Sequence, residues 1–285
     1  MSARVIFSTG SLYPLDVAHC FALAAEAGFD GIEVMCDDRY STRAPDYLQK
    51  LRDQYNLPVL VVHTPFSDQL PGWKKARNSQ VERILHTLKL AETLGAESIV
   101  VHVPRKIGWG SLTFNGNQFQ FPWFTPFNGV KNWISYVLPE LQPHTSVKIA
   151  LENMPATRIF GREVDPTWWN EMDTWSSVHQ WLTLDTTHWA TKCISPLNAY
   201  LMAKERVCHV HLSNYDGREH RLPHRGHLDL GNFLRTLARD GYSGTISAEL
   251  HPDALEFTDE TAMRRHLRQT VEFCREHLAM SVPTH

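Results

Sequence analysis

The sequence predicts an α/β protein, a (β/α)8 TIM barrel in a single domain over residues 1–285, with long loops after strands 4 and 5. Three observations predict it. Eight short apolar runs alternate with longer amphipathic stretches, the pattern of a parallel sheet with crossover helices. The length of 285 residues suits one barrel, which takes about 250. No GxGxxG follows the first apolar run, where an open dinucleotide-binding sheet would carry it.

Taken in order, strands are read at 4–8, 31–35, 58–63, 98–103, 147–152, 181–185, 207–212 and 245–250. Helical periodicity fills the gaps: 15–28, beginning after a proline and ending in Ala-Gly, then 44–55, 78–95 and 129–141. Shorter helices follow near 174–180 and 195–205, and 231–241 and 258–277 complete the set. Right-handed crossovers close such a sheet into a barrel. Residues 104–128 and 153–173 exceed ordinary loop length and are rich in aromatics, Gly and Asn. Both follow strands, so both belong to the catalytic face and read as lids; a packed hairpin or a dimer contact is the alternative.

Composition excludes several classes. With 42% hydrophobic and 21% charged residues, the chain is an ordinary globular one. A net charge of −3 gives no reason to expect nucleic acid or an anionic membrane as partner. Cys20, Cys36, Cys193, Cys208 and Cys274 are odd in number and lack CxxC spacing, which fits reduced thiols in the cytoplasm. The N-terminus lacks the apolar core of a signal peptide, and no apolar run is long enough for a transmembrane helix. A homo-oligomer is compatible with all of this.

The chemistry lies in where polar residues interrupt the strands. His63 ends VLVVH, His102 ends SIVVH, Glu152 ends KIALE and Asp185 ends WLTLD, with His188 three residues later. His211 ends VCHVH, Glu249 ends TISAE, and Glu33 sits in GIEVM. A closed barrel gathers strand ends at one mouth, with every second side chain pointing inward. Carboxylates brought together there repel one another and lose hydration, and a divalent cation removes that penalty. Glu152, Asp185, His211 and Glu249 are therefore the expected ligands, with His63 and His102 as further ligands or substrate contacts. Carboxylate and imidazole suit Mn²⁺, Zn²⁺, Fe²⁺ or Co²⁺ better than Mg²⁺; Mn²⁺ or Zn²⁺ is the expectation, with no other cofactor. Glu33 is expected to pair with a neighbour or to orient a ligand from behind, and His209, one layer deeper, to be core. Arg218, His220, Arg221, His224, Arg225 and His227 follow strand 7, on a mouth loop suited to an anionic or hydroxylated substrate.

Several pieces together, AEAGFDGIEVM, AETLGAESIVVHVP, IALENMP, LDTTH and VHLSN, with the Arg-Leu-Pro element before Gly226, resemble the xylose-isomerase-like TIM barrel superfamily of sugar (phosphate) isomerases and epimerases, which includes endonuclease IV. The resemblance runs through nearly the whole chain. Its epimerase branch implies one Mn²⁺-like ion on Glu152, Asp185, His211 and Glu249, His188 on a substrate oxygen, and Arg221 or His220 near a substrate-binding arginine. Its endonuclease branch implies a second ion on His63 and His102, bridged by Glu152. That branch's Asp-x-His reads Arg218-Glu219-His220 here, so a three-metal site is not expected.

The resulting expectation is an isomerase or epimerase of a small carbohydrate. The ion acts as Lewis acid, Glu152 and Glu249 transfer the proton through an enediolate, and His188 polarises the oxygen. Aromatics such as Trp109, Phe121, Trp123 and Phe124 stack on the sugar and exclude water, or pack the lid. A metal-dependent phosphoester hydrolase, a lyase or dehydratase on a polyol, and a barrel that has lost catalysis are the alternatives.

Overall fold

A computed structural model describes residues 2–67, 70, 73, 79–114, 117–124, 129–159 and 162–279; the side chains of 107–114, 117–124, 158–159 and 162–163 lie outside the description. Eight parallel strands close into a barrel: β1 (Arg4–Ser8), β2 (Gly31–Met35), β3 (Val59–His63), β4 (Ser98–His102), β7 (Lys148–Glu152), β10 (Leu182–Asp185), β11 (Val207–Leu212) and β12 (Thr245–Ala248). Neighbours in sequence are neighbours in the barrel, and β12 closes on β1 with Arg4 opposite Thr245 and Phe7 opposite Ala248. This is the expected (β/α)8 barrel.

The helices are α1 (Val17–Ala27), α2 (Pro45–Tyr55), α3 (Gln80–Leu94), α4 (Gly129–Asn132), α5 (Leu138–Leu141), α6 (Met172–Val178), α7 (Thr186–Thr191), α8 (Pro196–Ala203), α9 (Leu230–Arg239) and α10 (Glu260–Ala279). Local chemistry sets their ends. Asp16 accepts from the Ala18 amide at the start of α1, and Gly28 stops that helix at φ 88°. Ser79 and Glu82 form a reciprocal capping box on α3, which ends at Gly95. Between α4 and α5 the helix widens into a π turn over Trp133–Val137, with the Leu138 amide bonded to the Trp133 carbonyl.

The long stretch after β4 holds an antiparallel hairpin, β5 (Ile107–Phe114) with β6 (Asn117–Phe124). The stretch after β7 holds a smaller one, β8 (Thr157–Ile159) with β9 (Arg162–Val164). The two connect through Arg105 bridged to Thr167, and the Lys106 amide bonds the Pro166 carbonyl at 2.8 Å. Both stretches are thus built around ordered hairpins.

Strand alternation divides the interior in two. Val5, Phe7, Ile32, Val34, Ile99, Val101, Ile149, Leu151, Leu182, Leu184, Val210, Leu212 and Ile246 belong to the large core shared with the helices. The alternate positions form the barrel lumen. Among the described residues, Ile6, Leu60, Val61 and Val100 make a separate small apolar cluster; Ser8, Glu33, Thr183, His209, Thr245 and Ser247 are also buried. No described helix is long and apolar enough to cross a membrane.

Candidate metal centre

Each candidate side chain owes its place to a strand end. Glu152 closes β7, Asp185 closes β10, His211 is the penultimate residue of β11, and Glu249 follows β12 directly. The closed sheet brings ligand atoms from all four within 4.8 Å of one another. His211 is the hub. Its Nδ1 lies 2.8 Å from Glu152 Oε1, 2.9 Å from Glu249 Oε2 and 3.8 Å from Asp185 Oδ2. Asp185 spends its other oxygen on the chain that follows, where Oδ1 accepts from the His188 amide at 2.7 Å and from the Thr187 hydroxyl at 3.0 Å.

Three acidic groups in one buried pocket are costly unless a positive charge compensates them. Burial opposes the charged form of His211, yet the negative charges of Glu249, Glu33 and Glu152 outweigh it and hold the imidazole well above its ordinary value. Burial likewise pushes the Glu152 carboxyl upward, but His211, with His102 and His63, holds it well below the usual range. Glu249 is lowered as well, His211 overcoming burial. The protonated His211 ring thus occupies the place that a bound cation would take electrostatically.

The residues fit a divalent cation. Asp185 Oδ2 is a buried oxygen without a hydrogen bond, whereas buried carboxylates are ordinarily satisfied, and Glu152 Oε2 meets only the ring nitrogens of His102 and His63, at 3.1 and 3.5 Å. Oxygens and imidazole nitrogen together form a donor set suited to borderline divalent ions. Glu249 is the open member, its side chain 14% exposed against 1% or less for the other three.

His63 and His102 reach the same centre from β3 and β4. Their Nε2 atoms stand 3.2 Å apart, at 3.5 and 3.1 Å from Glu152 Oε2. His63 is raised, since Glu152 overcomes its burial, whereas burial prevails at His102 and lowers it. His188, in the first turn of α7, lies 2.7 Å through Nδ1 from the Asn153 carbonyl, which aims Nε2 the other way, at 3.6 Å from Glu219. Burial opposes its charged form, but Asp185, Glu152 and Glu219 raise it. His220 places its ring 5.6 Å from that of His188, within a possible ligand group of Asp185, His188 and His220.

Two cavities flank the cluster. One of about 360 Å³ is lined by Gly10, Tyr13, Met35, Phe66, His220 and Glu249 among others, and another of about 400 Å³ by Thr64, Phe66, His102, Arg105, Met154 and Thr167 among others. Phe66 belongs to both and packs on His63 and His102, with ring centroids 5.6 and 4.6 Å apart. Sequence reasoning passed over Phe66 and Glu219. The one signal for Phe66 was an aromatic three residues beyond His63; Glu219 was visible only as the middle of Arg218-Glu219-His220. Arg221 sits elsewhere. Its backbone bridges Asn214, its Nε donates to the Glu219 carbonyl at 3.1 Å, and it lines neither cavity. The side chains of Trp109, Phe121, Trp123 and Phe124 lie outside the described residues.

Behind the centre, Glu33 contacts both histidines of β11, at 3.0 Å from His211 Nε2 and 3.3 Å from His209 Nε2. His209, expected to be core, is fully buried and part of this polar chain.

The comparisons agree with this fold. An uncharacterized protein of Mycobacterium leprae is 26% identical over 299 residues, covering 96% of this chain and 98% of its own length. A D-tagatose 3-epimerase-like protein superposes at TM-score 0.66 with 21% identity over 98% of both chains. The 3-keto-D-glucoside 4-epimerase of E. coli does so at TM-score 0.65 with 18% identity, over 95% of this chain and 99% of its own. The sequence profile of the xylose isomerase-like TIM barrel family matches residues 21–277, and with the barrel and its strand-end cluster in place this chain belongs to that family.

Proposed function

We propose that this protein is a divalent-metal-dependent isomerase or epimerase of a sugar or sugar derivative, working by proton transfer beside a carbonyl. The observation that carries the reading is the meeting of Glu152, Asp185 and Glu249 at one nitrogen of His211, with the buried Asp185 Oδ2 left without a hydrogen bond. Fold neighbours that bear epimerase names support the substrate class.

Glu152, Asp185, His211 and Glu249 would hold the ion. When bound, a divalent cation supplies Lewis-acid polarisation of a carbonyl and its neighbouring hydroxyl. Glu249 borders the 360 Å³ cavity and is the carboxylate best placed to take a proton from a substrate carbon. Glu152 reaches the centre from β7, three strands around the barrel, and returns the proton from its own side. His188, with Nε2 aimed away from the Asn153 carbonyl, donates to the oxygen on which enediolate charge develops. Phe66 covers His63 and His102 and limits water at the reacting carbon.

The test is solvent deuterium incorporation at carbon, followed by NMR over a panel of ketoses and their phosphates with Mn²⁺-loaded protein. Glu249→Gln should lower the rate by about 10²- to 10⁴-fold, the usual weight of a positioned base, without loss of fold. No exchange into any sugar, with cleavage of an abasic-site oligonucleotide instead, would refute the proposal. His63 and His102, converging on Glu152 Oε2, favour that second reading, a two-metal phosphoester hydrolase. Two tightly bound ions per chain would support it; one ion supports the isomerase.

A further inference from the structure

The barrel lumen behind His211 contains a line of four buried side chains: Thr245 at 2% exposure, and His209, Glu33 and His211 at 0%. Thr245 Oγ1 stands 2.7 Å from His209 Nδ1, His209 Nε2 stands 3.3 Å from Glu33 Oε2, and Glu33 Oε1 stands 3.0 Å from His211 Nε2. One proton arrangement satisfies every member. The threonine hydroxyl donates to His209 Nδ1, His209 donates from Nε2, and Glu33, as a carboxylate, accepts from both imidazoles. Glu33 thus fixes one His211 proton on Nε2, so that a cation bound at Nδ1, the atom that faces Glu152, Asp185 and Glu249, would take the place of the second ring proton.

This chain is not a by-product of local sequence. His209 and Thr245 pair across β11 and β12, whereas Glu33 crosses the lumen from β2. A carboxylate buried there costs several kcal/mol unless fully hydrogen-bonded, and an apolar residue would fill the space at less cost. A metal-ligating histidine ordinarily has a carboxylate or carbonyl on its other nitrogen, which fixes ring and tautomer.

We propose that Glu33 is a positioning residue for the metal centre: through Nε2 it holds His211 in the tautomer and orientation that present Nδ1 to the cation, and Thr245 and His209 in turn hold Glu33. This rests on the reading of His211 as a ligand. Glu33→Gln keeps the shape, but its amide cannot accept from both histidines at once, so one of them must turn or change tautomer.

The experiment measures Mn²⁺ affinity from the electron paramagnetic resonance signal of the free ion, beside ¹⁵N-histidine NMR of the metal-free protein. E33Q should remain folded by circular dichroism, bind Mn²⁺ about 10- to 100-fold more weakly, and lose the slowly exchanging, downfield Nε2 proton of His211. Wild-type Mn²⁺ affinity in folded E33Q overturns the role given to Glu33. Failure of the wild-type protein to bind Mn²⁺ or Zn²⁺ overturns the metal reading itself, which is a different result. If E33Q does not fold, T245V decides. Weaker Mn²⁺ binding with shifted His209 nitrogen resonances supports the chain, and unchanged affinity and resonances overturn it.

Discussion

His179 follows α6, is 7% exposed as a residue, and has Nε2 without a hydrogen bond. Burial lowers the imidazole to about 4, and the nearby Arg206 charge adds to the shift. Its unfolded value is about 6.5. Between those values the unfolded chain binds a proton that the folded chain refuses, so the contribution of His179 to stability falls as pH drops from about 6.5 toward 4 and is constant above about 7. By pH 5 the loss is about 2 kcal/mol. His179→Gln should remove that portion, so urea unfolding at pH 7 and pH 5 should show a larger loss in wild type than in the variant. Equal losses would mean that the ring is solvated. The ligand candidates were readable because each interrupts an apolar strand end, a pattern that core packing alone does not produce. The bond from Glu33 to His211 was not readable, since 178 residues separate the partners and only barrel closure joins them. Arg221 shows the converse: sequence places it on the mouth loop, but its backbone is bridged to Asn214 and its Nε donates to the Glu219 carbonyl of the same loop.

At the scale of elements, the loop after β11 is organised by one side chain. Asn214 accepts from the Tyr215 and Leu228 amides and donates to the Pro223 and Leu228 carbonyls, tying together the ends of the segment that carries Glu219 and His220. Gly226 makes this possible, because a Cβ there would lie 2.3 Å from Asn214 Oδ1. Gly226→Ala should cost about 1–3 kcal/mol, the range for forcing atoms into a packed site, and should displace His220, which lines the cavity beside Glu249. Gly129→Ala, where the added carbon meets nothing within 4 Å, is the control and should leave the unfolding midpoint and activity nearly unchanged. Equal behaviour of the two variants would show that the loop does not depend on Asn214. Most strand and helix positions were legible to within a few residues because caps and glycine stops mark them; α7, which carries His188, was not, since its six residues are too few for a helical period to show. The π turn was hidden inside a periodic run. Its cause is Pro139, which lacks the N–H that an α-helix would bond to the Ser135 carbonyl, so the ladder slips by one residue. The hairpins after β4 and β7 were open in the sequence only as an alternative to lids, because irregular loops and short strands share their aromatic-rich composition.

For the whole molecule, the fold was legible because alternation writes two patterns at once. One face of each strand supplies the apolar layer beneath the helices, and the other supplies the lumen, so nearly continuous apolar strands with polar ends already imply closure. What the pattern does not give is the charge balance at the mouth, which depends on distances. Glu33, Glu152, Asp185 and Glu249 gather around His211, and the unfolded chain would solvate all four. A cation bound only by the folded state therefore stabilises the entire barrel. With Mn²⁺ or Zn²⁺ at a hundred times its dissociation constant, linkage gives about 2.7 kcal/mol. In a chain of this size that is a rise in thermal midpoint of about 4–5 °C over the chelator-treated protein. The rise should grow with the logarithm of ion concentration and vanish in Asp185→Asn, which removes a ligand oxygen and leaves the barrel core intact. Scanning calorimetry across an ion series checks this. A midpoint that ignores the ion in wild type, or responds equally in Asp185→Asn, would separate the acidic cluster from metal binding and leave His211 as the permanent counter-charge of the site.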